Sequence, residues 1–144
     1  MTTHKINSLD DLKKFARSLS KNLKGGDVVA LSGELGAGKT TLVQMVAEEL
    51  GVYERVTSPT FTVLKTHDIP ATQQKKFGFK QLCHIDLYRL EAAEKGIGFE
   101  EYFGDTDAVC FIEWAQKAKQ IIPKQALWIE LVVVDKNKRQ IKVS

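Results

Sequence analysis

A glycine-rich stretch at residues 33–40 constrains the fold of this chain more than any other feature. It fits the pattern G-x-x-x-x-G-K-[ST] at every fixed position. A short apolar run at residues 28–31 precedes it, and a helical pattern at residues 41–50 follows it and ends at Gly51. Because a phosphate-binding loop needs a strand before it and a helix after it, this context favours such a loop over a surface turn. The stretch consists of Gly33, Glu34, Leu35, Gly36, Ala37, Gly38, Lys39 and Thr40, with Thr41 directly after it.

The residue types in this loop suit the binding of a nucleotide. Glycines let the backbone approach a phosphate closely, so that N–H groups and the positive end of the next helix point at the anion. Lys39 would neutralise charge on the β- and γ-phosphates, and the Thr40 hydroxyl would be one of the few protein ligands of Mg²⁺. The loop therefore predicts a protein that binds a nucleotide together with Mg²⁺.

The composition is that of a single globular domain. The 144 residues are 43% hydrophobic, enough for a substantial core, and we expect residues 1–144 to form one P-loop ATPase domain. No apolar run reaches the ~20 residues that a membrane span needs, and residues 1–5 lack the apolar segment of a signal peptide. We therefore expect a cytoplasmic protein without a membrane partner. The net charge of +3 neither indicates nor excludes binding to nucleic acid.

The remaining patterns predict an α/β fold. Ser8 begins a capping-box pattern, and apolar residues recur at helical spacing over residues 9–23. Two runs at residues 127–134 and 141–143 predict a C-terminal antiparallel hairpin. The polar residues 67–80 are typical of a long loop or an extended hairpin. We expect a P-loop NTPase fold in three layers, with a mostly parallel central sheet.

Two short apolar runs end in an acidic residue. Residues 82–86 end at Asp86, and residues 109–113 end at Glu113. An acid at a strand end is often only a cap for the next turn, but beside a phosphate-binding loop it is typical of the group that holds Mg²⁺ or its water. The residues alone leave open which of the two contacts the metal.

A hydroxyl-rich segment at residues 57–61 surrounds Pro59 at the start of another strand-like run. Thr60 in this segment either senses the γ-phosphate as part of a nucleotide switch or belongs to an ordinary proline turn. The pattern leaves both interpretations open.

Cysteines and histidines show no metal-ligand spacing. Cys83 and Cys110 each lie in an apolar run, which predicts buried free thiols. The three histidines, among them His84, are far apart in the sequence, so we place no metal on them.

Two features that the sequence lacks narrow the choice of nucleotide and the choice of reaction. A guanine-binding protein would carry an N-K-x-D motif, whereas residues 137–140 read N-K-R-Q without the carboxylate, which favours ATP over GTP. A small-molecule kinase would clamp the transferring phosphoryl group with several arginines, and this chain has few, at positions 17, 55, 89 and 139. An ATPase is therefore favoured, with a kinase and a non-hydrolysing nucleotide-dependent switch as alternatives.

Four motifs in this order resemble the TsaE (YjeE) family of bacterial ATPases. They are E-L-G-A-G-K-T-T at residues 34–41, S-P-T-F at residues 58–61, H-I-D-L-Y-R-L at residues 84–90 and I-E-W at residues 112–114. Many unrelated proteins share the first motif, whereas the other three together are specific. The resemblance spans most of the chain.

The resemblance implies a small ATPase needed for threonylcarbamoyladenosine formation next to the anticodon of tRNAs that read codons starting with A. Such an ATPase does not transfer the group itself. It acts with TsaD, which holds the catalytic site, and with TsaB, the dimer partner of TsaD, and it meets tRNA only through this complex. ATP binding and hydrolysis would reset the complex between turnovers. Base binding in the family uses the segment leading into the first helix, which points to Leu9.

The same resemblance assigns roles to the site residues. Lys39, Asp86 and Glu113 would be the catalytic residues. Lys39 would bind phosphate, Thr40 and Glu113 would hold Mg²⁺, and Asp86 would orient water or the second shell of the metal. Thr60 would be the switch residue.

The sequence departs from the family pattern at two positions and in one segment. Glu34 replaces the usual Asp, and Ala115 stands where Pro is common, which loosens that turn. The polar residues 67–80 are also longer than the family pattern predicts. None of these departures touches the phosphate loop lysine, its threonine or the two strand-end acids.

Overall fold

A computed structural model of the chain describes residues 1–57, 64–88 and 99–144. Within these ranges it has one seven-stranded sheet, three α-helices and two 3₁₀ helices. No helix in the described ranges is long and apolar enough to cross a bilayer. The strands are β1 (Thr2–Ile6), β2 (Val28–Gly33), β3 (Leu64–Asp68), β4 (Gln81–Asp86), β5 (Ala108–Glu113), β6 (Leu127–Asp135) and β7 (Lys138–Val143), and the helices are α1 (Leu9–Asn22), α2 (Lys39–Glu49) and α3 (Ala71–Phe77).

The sheet has the strand order β1-β7-β6-β2-β5-β4-β3. The four central strands, β6, β2, β5 and β4, are parallel to their neighbours in this group. Both edges are antiparallel, with β3 on β4 at one side and β7 on β6 at the other. The predicted C-terminal hairpin is thus formed by β6 and β7, and the parallel part of the sheet is confined to its centre.

Two hydrophobic clusters cover the two faces of the sheet. On one face α1 and α2 pack against alternate residues of β2, β5 and β6, such as Leu31 and Phe111. On the other face, in the described part of the chain, the cover consists of the 3₁₀ helix Ala115–Ala118, the residues that follow it and parts of the segment after residue 99. Cys83 and Cys110 are buried free thiols on this second face, as predicted. Within the described ranges, the cover of this second face therefore consists of short 3₁₀ helices and irregular chain.

Strand β1 and helix α3 were not predicted from the sequence. Strand β1 is polar and almost wholly exposed, and among the described strands it pairs with β7 alone. Helix α3 lies inside residues 67–80, where we expected a loop or hairpin, and none of its residues is fully buried. The strands β3 and β4 on either side pair in antiparallel fashion, but they lie almost entirely outside residues 67–80. The expectation of a loop or hairpin is therefore wrong for Ala71–Phe77, which form α3. Gly78, at φ 88°, ends the helix.

The start of α1 follows the predicted cap. The Ser8 hydroxyl accepts a hydrogen bond of 3.1 Å from the backbone N–H of Asp11. The Asp11 carboxylate accepts a bond of 2.9 Å from the N–H of Asn7, one residue before the position used in a standard capping box. The two bonds together satisfy polar groups at the first turn and fix where the helix begins.

We expect Ser8→Ala to lower the free energy of unfolding by about 1 kcal/mol, because the N–H of Asp11 loses its acceptor. Urea denaturation followed by circular dichroism measures this. The matched control is Ser18→Ala, an exposed serine within α1, which should change stability by less than about 0.5 kcal/mol. Equal losses in the two variants would contradict the cap assignment.

Candidate functional site

The glycine-rich loop connects the end of β2 to the start of α2. Gly33 is the last residue of β2 and Lys39 is the first residue of α2. Gly38 occupies the cap position of α2 in a left-handed conformation, and no side chain caps the helix. The first N–H groups of α2 are thus directed at the space above the loop, where the helix dipole favours an anion.

Gly33 can be replaced by no other residue without strain. Its φ is +142°, and a Cβ atom at this position would lie 2.5 Å from the backbone oxygen of Leu131 on β6. Gly36, at the tip of the loop, also has a positive φ of +79°, but a Cβ there would meet nothing within 4 Å. The glycine at the base is therefore required for close packing against β6, and the glycine at the tip for conformation alone.

Lys39 is folded back across the loop. Its ammonium donates hydrogen bonds to the backbone oxygens of Gly33 at 2.7 Å and Glu34 at 2.9 Å. Only 5% of the residue is exposed. Burial lowers the pKa of Lys39 from its ordinary value, and the negative charges of Glu113 and Asp86 partly oppose that shift. The loop thus holds a partly desolvated cation on weak neutral acceptors, which a phosphate would replace with charged ones.

An aromatic pair covers this lysine. The Lys39 ammonium lies 4.1 Å from the centroid of the Trp114 ring, and Tyr88 packs against Trp114 with ring centroids 5.0 Å apart. Trp114 has a left-handed backbone, with φ 59° and ψ 38°, which is strained for a bulky residue. The Trp114 ring therefore covers the loop lysine and shields it from water.

Glu113 meets the loop directly. The Thr40 hydroxyl donates a 2.7 Å hydrogen bond to Oε1 of Glu113, which is buried at the end of β5. Asp86 ends the neighbouring strand β4 and lies opposite Glu113 in the register. One oxygen of Asp86 accepts a 2.9 Å bond from the N–H of Tyr88, so this acid also caps its own turn. The two predicted acids are therefore adjacent, and Glu113 is the one in contact with Thr40.

The oxygens of Thr40 and Glu113 fit a hard cation such as Mg²⁺. Magnesium takes oxygen ligands, commonly one or two from protein and the rest from water and phosphate. Among the residues that the structure describes, no group of three or more His, Cys, Asp or Glu side chains could hold a metal ion by itself. A metal at Thr40 and Glu113 would therefore share its coordination with a bound phosphate.

A cleft of about 550 Å³ opens beside the loop. Its walls come from the start of α1, the loop and the turn between β6 and β7. Leu9, which the family resemblance suggested for base binding, lies in this wall and is 70% exposed. The lining residues from the end of β1, the start of α1, the loop and the start of α2 are Ile6, Asn7, Ser8, Leu9, Leu12, Gly36, Ala37, Gly38 and Thr41. Those from the turn are Lys136, Asn137 and Arg139.

The contribution of the hairpin turn was not predicted. We had treated residues 137–140 only as an incomplete guanine motif in a terminal turn. In the structure Arg139 donates a long hydrogen bond of 3.5 Å to the backbone oxygen of Gly36. Only the strand order, which sets β6 beside β2, brings this turn to the loop. No local sequence signal marks it.

The other predicted site residues are distributed around the same loop. Leu35 is 71% exposed at its tip, and Ala37 is buried beneath it. Thr60 and the rest of the S-P-T-F motif lie outside the described residues, and so do residues 89 and 90 of the H-I-D-L-Y-R-L motif. The switch role of Thr60 stays a prediction.

Comparison with known proteins gives consistent results. A family model described as threonylcarbamoyl adenosine biosynthesis protein TsaE matches residues 6–141. The tRNA threonylcarbamoyladenosine biosynthesis protein TsaE of Bacillus subtilis strain 168 is 36% identical over 132 residues, covering 92% of this chain and 78% of that protein. The protein of the same name from Treponema pallidum strain Nichols is 35% identical over 139 residues, covering 95% and 96% of the two chains.

A solved structure is similar over nearly the whole fold. The crystal structure of YdiB from Bacillus subtilis matches with a TM-score of 0.78 and 30% sequence identity, covering 97% of this chain and 82% of that one. Fold and site together define a mixed α/β protein in which a glycine-rich loop and an acidic strand end meet at one edge of a single sheet. With the family match spanning residues 6–141, the chain belongs to the TsaE family.

The two loop glycines generate a matched prediction. Gly36→Ala should cost about 1–2 kcal/mol of stability through its positive φ alone. Gly33→Ala should cost about 1–3 kcal/mol more than that, since its Cβ also collides with the backbone of Leu131. Urea denaturation of both variants gives the two values. If Gly33→Ala were no less stable than Gly36→Ala, the close approach of the loop to β6 would be wrong.

Proposed function

We propose that this chain is a Mg²⁺-dependent ATPase of the P-loop NTPase fold that acts in the threonylcarbamoyladenosine modification of tRNA. The observation that carries the proposal is the 2.7 Å hydrogen bond between Thr40, at the start of α2, and Glu113, at the end of β5. It joins the hydroxyl and the carboxylate expected of a magnesium site to the loop expected to bind phosphate. Membership in the TsaE family supplies the biological process.

The loop and its lysine would bind the phosphates. The N–H groups at the start of α2 would donate to a phosphate, and the Lys39 ammonium would exchange the oxygens of Gly33 and Glu34 for those of the β- and γ-phosphates. Trp114 would exclude water above that lysine, which strengthens the electrostatic attraction.

The acids would supply the metal and water side of the reaction. Thr40 and Glu113 would hold Mg²⁺, which when bound neutralises charge on the phosphates. Asp86 lies beside Glu113 on the neighbouring strand and would orient the attacking water or a water of the metal. Because one Asp86 oxygen is engaged by the N–H of Tyr88, the direction of its other oxygen is restrained.

The cleft beside the loop would take the base. Leu9 offers an exposed apolar side chain to the face of a purine, and residues 136–139 offer polar groups to its edge. The turn carries no carboxylate among residues 137–140, so it cannot bind guanine in the manner of an N-K-x-D motif. This supports ATP over GTP.

The partners come from family membership rather than from the site. We propose that the chain works in the cytoplasm with TsaB and TsaD, and that ATP turnover resets their complex while tRNA is contacted through those proteins. Relatives carry the name tRNA threonylcarbamoyladenosine biosynthesis protein TsaE, which supports the process.

Lys39→Ala should weaken ATP binding by about 10- to 100-fold, because a hydrogen bond to a charged group is worth ~1.5–3 kcal/mol. Isothermal titration calorimetry with Mg²⁺ and a non-hydrolysable ATP analogue measures this. Lys14→Ala, an exposed lysine paired with Asp10 on α1, is the control and should bind as the native chain does. Native affinity in the Lys39 variant would refute the phosphate assignment.

The reaction itself is tested with purified TsaB and TsaD. In a multiple-turnover assay of tRNA modification, product should exceed one equivalent per complex only when this chain and hydrolysable ATP are both present. Glu113→Ala should limit product to about one turnover, since the metal site is lost. Product formation independent of ATP would refute the proposed function, and transfer of phosphate to an added metabolite would indicate a kinase instead.

A further inference from the structure

His84 is a buried histidine that the chemistry described so far leaves without a role. It lies on β4, two residues before Asp86, and therefore faces the same side of the sheet as that acid. The residue is fully buried. Phe111 is its register partner on β5, so Glu113 lies one pleat further along the same face. The side chains of His84 and Glu113 meet diagonally across the two strands.

The contact is short and directed. Nε2 of His84 lies 2.5 Å from Oε2 of Glu113. A carboxylate without its proton can only accept hydrogen bonds, so this contact requires the histidine tautomer that carries its proton on Nε2. In the described part of the chain Nδ1 of His84 is buried without a hydrogen-bond partner, as suits an unprotonated ring nitrogen. The imidazole is thus oriented by Glu113 alone among the polar groups described.

The two carboxylate oxygens of Glu113 are therefore hydrogen-bonded to two different side chains. Oε1 accepts from Thr40 and Oε2 accepts from His84, at 2.7 and 2.5 Å. A glutamate has three rotatable side-chain bonds, and holding both oxygens selects one of its conformers. If the Thr40 hydroxyl were engaged by a cation, its bond to Oε1 would be lost, and the bond from His84 would still hold the carboxylate.

We propose that His84 is a positioning residue that holds the Glu113 carboxylate in the orientation needed to bind Mg²⁺ with the nucleotide. This inference rests on the proposed function, because it assigns the cation to Thr40 and Glu113. Hydrogen-bonded groups behind a metal ligand orient the ligand and raise the affinity for the metal. His84 needs no contact with nucleotide or metal to act in this way.

The chain contains a matched control for a purely structural histidine. His67 on β3 is also fully buried, and its Nδ1 lies 2.5 Å from Oε1 of Glu54. Glu54, however, is 52% exposed and belongs to the segment after α2, not to the loop or the acidic strand ends. Replacing either histidine removes a buried ring and its glutamate contact, but only His84 touches the proposed metal ligand.

The variants are His84→Leu, His84→Asn, His84→Gln and His67→Leu. Leucine removes the hydrogen-bond donor. The amide nitrogen of asparagine is one bond closer to the backbone than Nε2 of histidine, so it does not extend as far toward Glu113. The glutamine amide nitrogen is as many bonds from the backbone as Nε2 and restores a donor. Calorimetry measures the affinity of each variant for ADP with Mg²⁺ and with EDTA, and thermal unfolding measures its stability.

The ratio of the two affinities is the decisive quantity, since it isolates the metal from folding and from phosphate binding. We expect His84→Leu and His84→Asn to lower this ratio by about 10- to 100-fold. His84→Gln should restore most of it. His67→Leu should keep the native ratio even where its melting temperature falls as far as that of His84→Leu.

The outcomes separate the two proposals. If the native chain binds no nucleotide, the proposed function fails and this inference fails with it. If the native chain shows a Mg²⁺-dependent affinity and His84→Leu keeps the same ratio as His67→Leu, only the role of His84 is overturned.

If His84→Leu and His84→Asn do not fold, the role of His84 can be tested on the native chain. Nitrogen-15 NMR of the histidine rings should find the proton of His84 on Nε2, with a resonance that shifts when Mg²⁺ and ADP are added together and not when ADP is added with EDTA. A proton on Nδ1 alone, or a resonance indifferent to Mg²⁺, would overturn the inference.

Discussion

The parallel pairing of β2 with β5 on one side and with β6 on the other determines where the candidate site can form. Leu31 lies opposite Glu113 in the first pair, and Gly33 lies opposite Leu131 in the second. Because parallel strands end at the same edge of a sheet, the acid of β5 and the turn after β6 flank the loop that leaves β2. The lysine, the acids and the cleft are thus brought together by strand order.

Without a bound ligand, the charges of Lys39, Glu113 and Asp86 at this edge of the sheet balance one another only in part. Lys39 is buried against two backbone oxygens and an aromatic ring, and the negative charges of Glu113, Asp86 and Glu34 act on it. A phosphate next to Lys39 would gain from the ammonium and from the start of α2, and it would be repelled by both carboxylates. A divalent cation held by Thr40 and Glu113 would offset that repulsion. The arrangement therefore favours a nucleotide and a metal bound together over either one alone.

Features set by local sequence were predictable, and features set by pairing were not. The loop, the Ser8 cap and the β6–β7 hairpin each follow from residues close together in the chain. Strand β1 is an exposed edge and α3 buries no residue, so neither shows the apolar periodicity that marks buried elements. The contact between His84 and Glu113 depends on the register of β4 and β5, which no local pattern encodes.

The two ends of the site differ in how firmly they are held. His84 and Glu113 lie on buried central strands and Thr40 joins them to α2, so the phosphate and metal end is built on rigid elements. The cleft proposed for the base is walled by an exposed Leu9 and by the hairpin turn, from which Arg139 donates a long hydrogen bond to the loop. Under the proposed function, phosphates and Mg²⁺ would therefore supply most of the affinity. The base would then contribute discrimination among nucleotides more than binding energy.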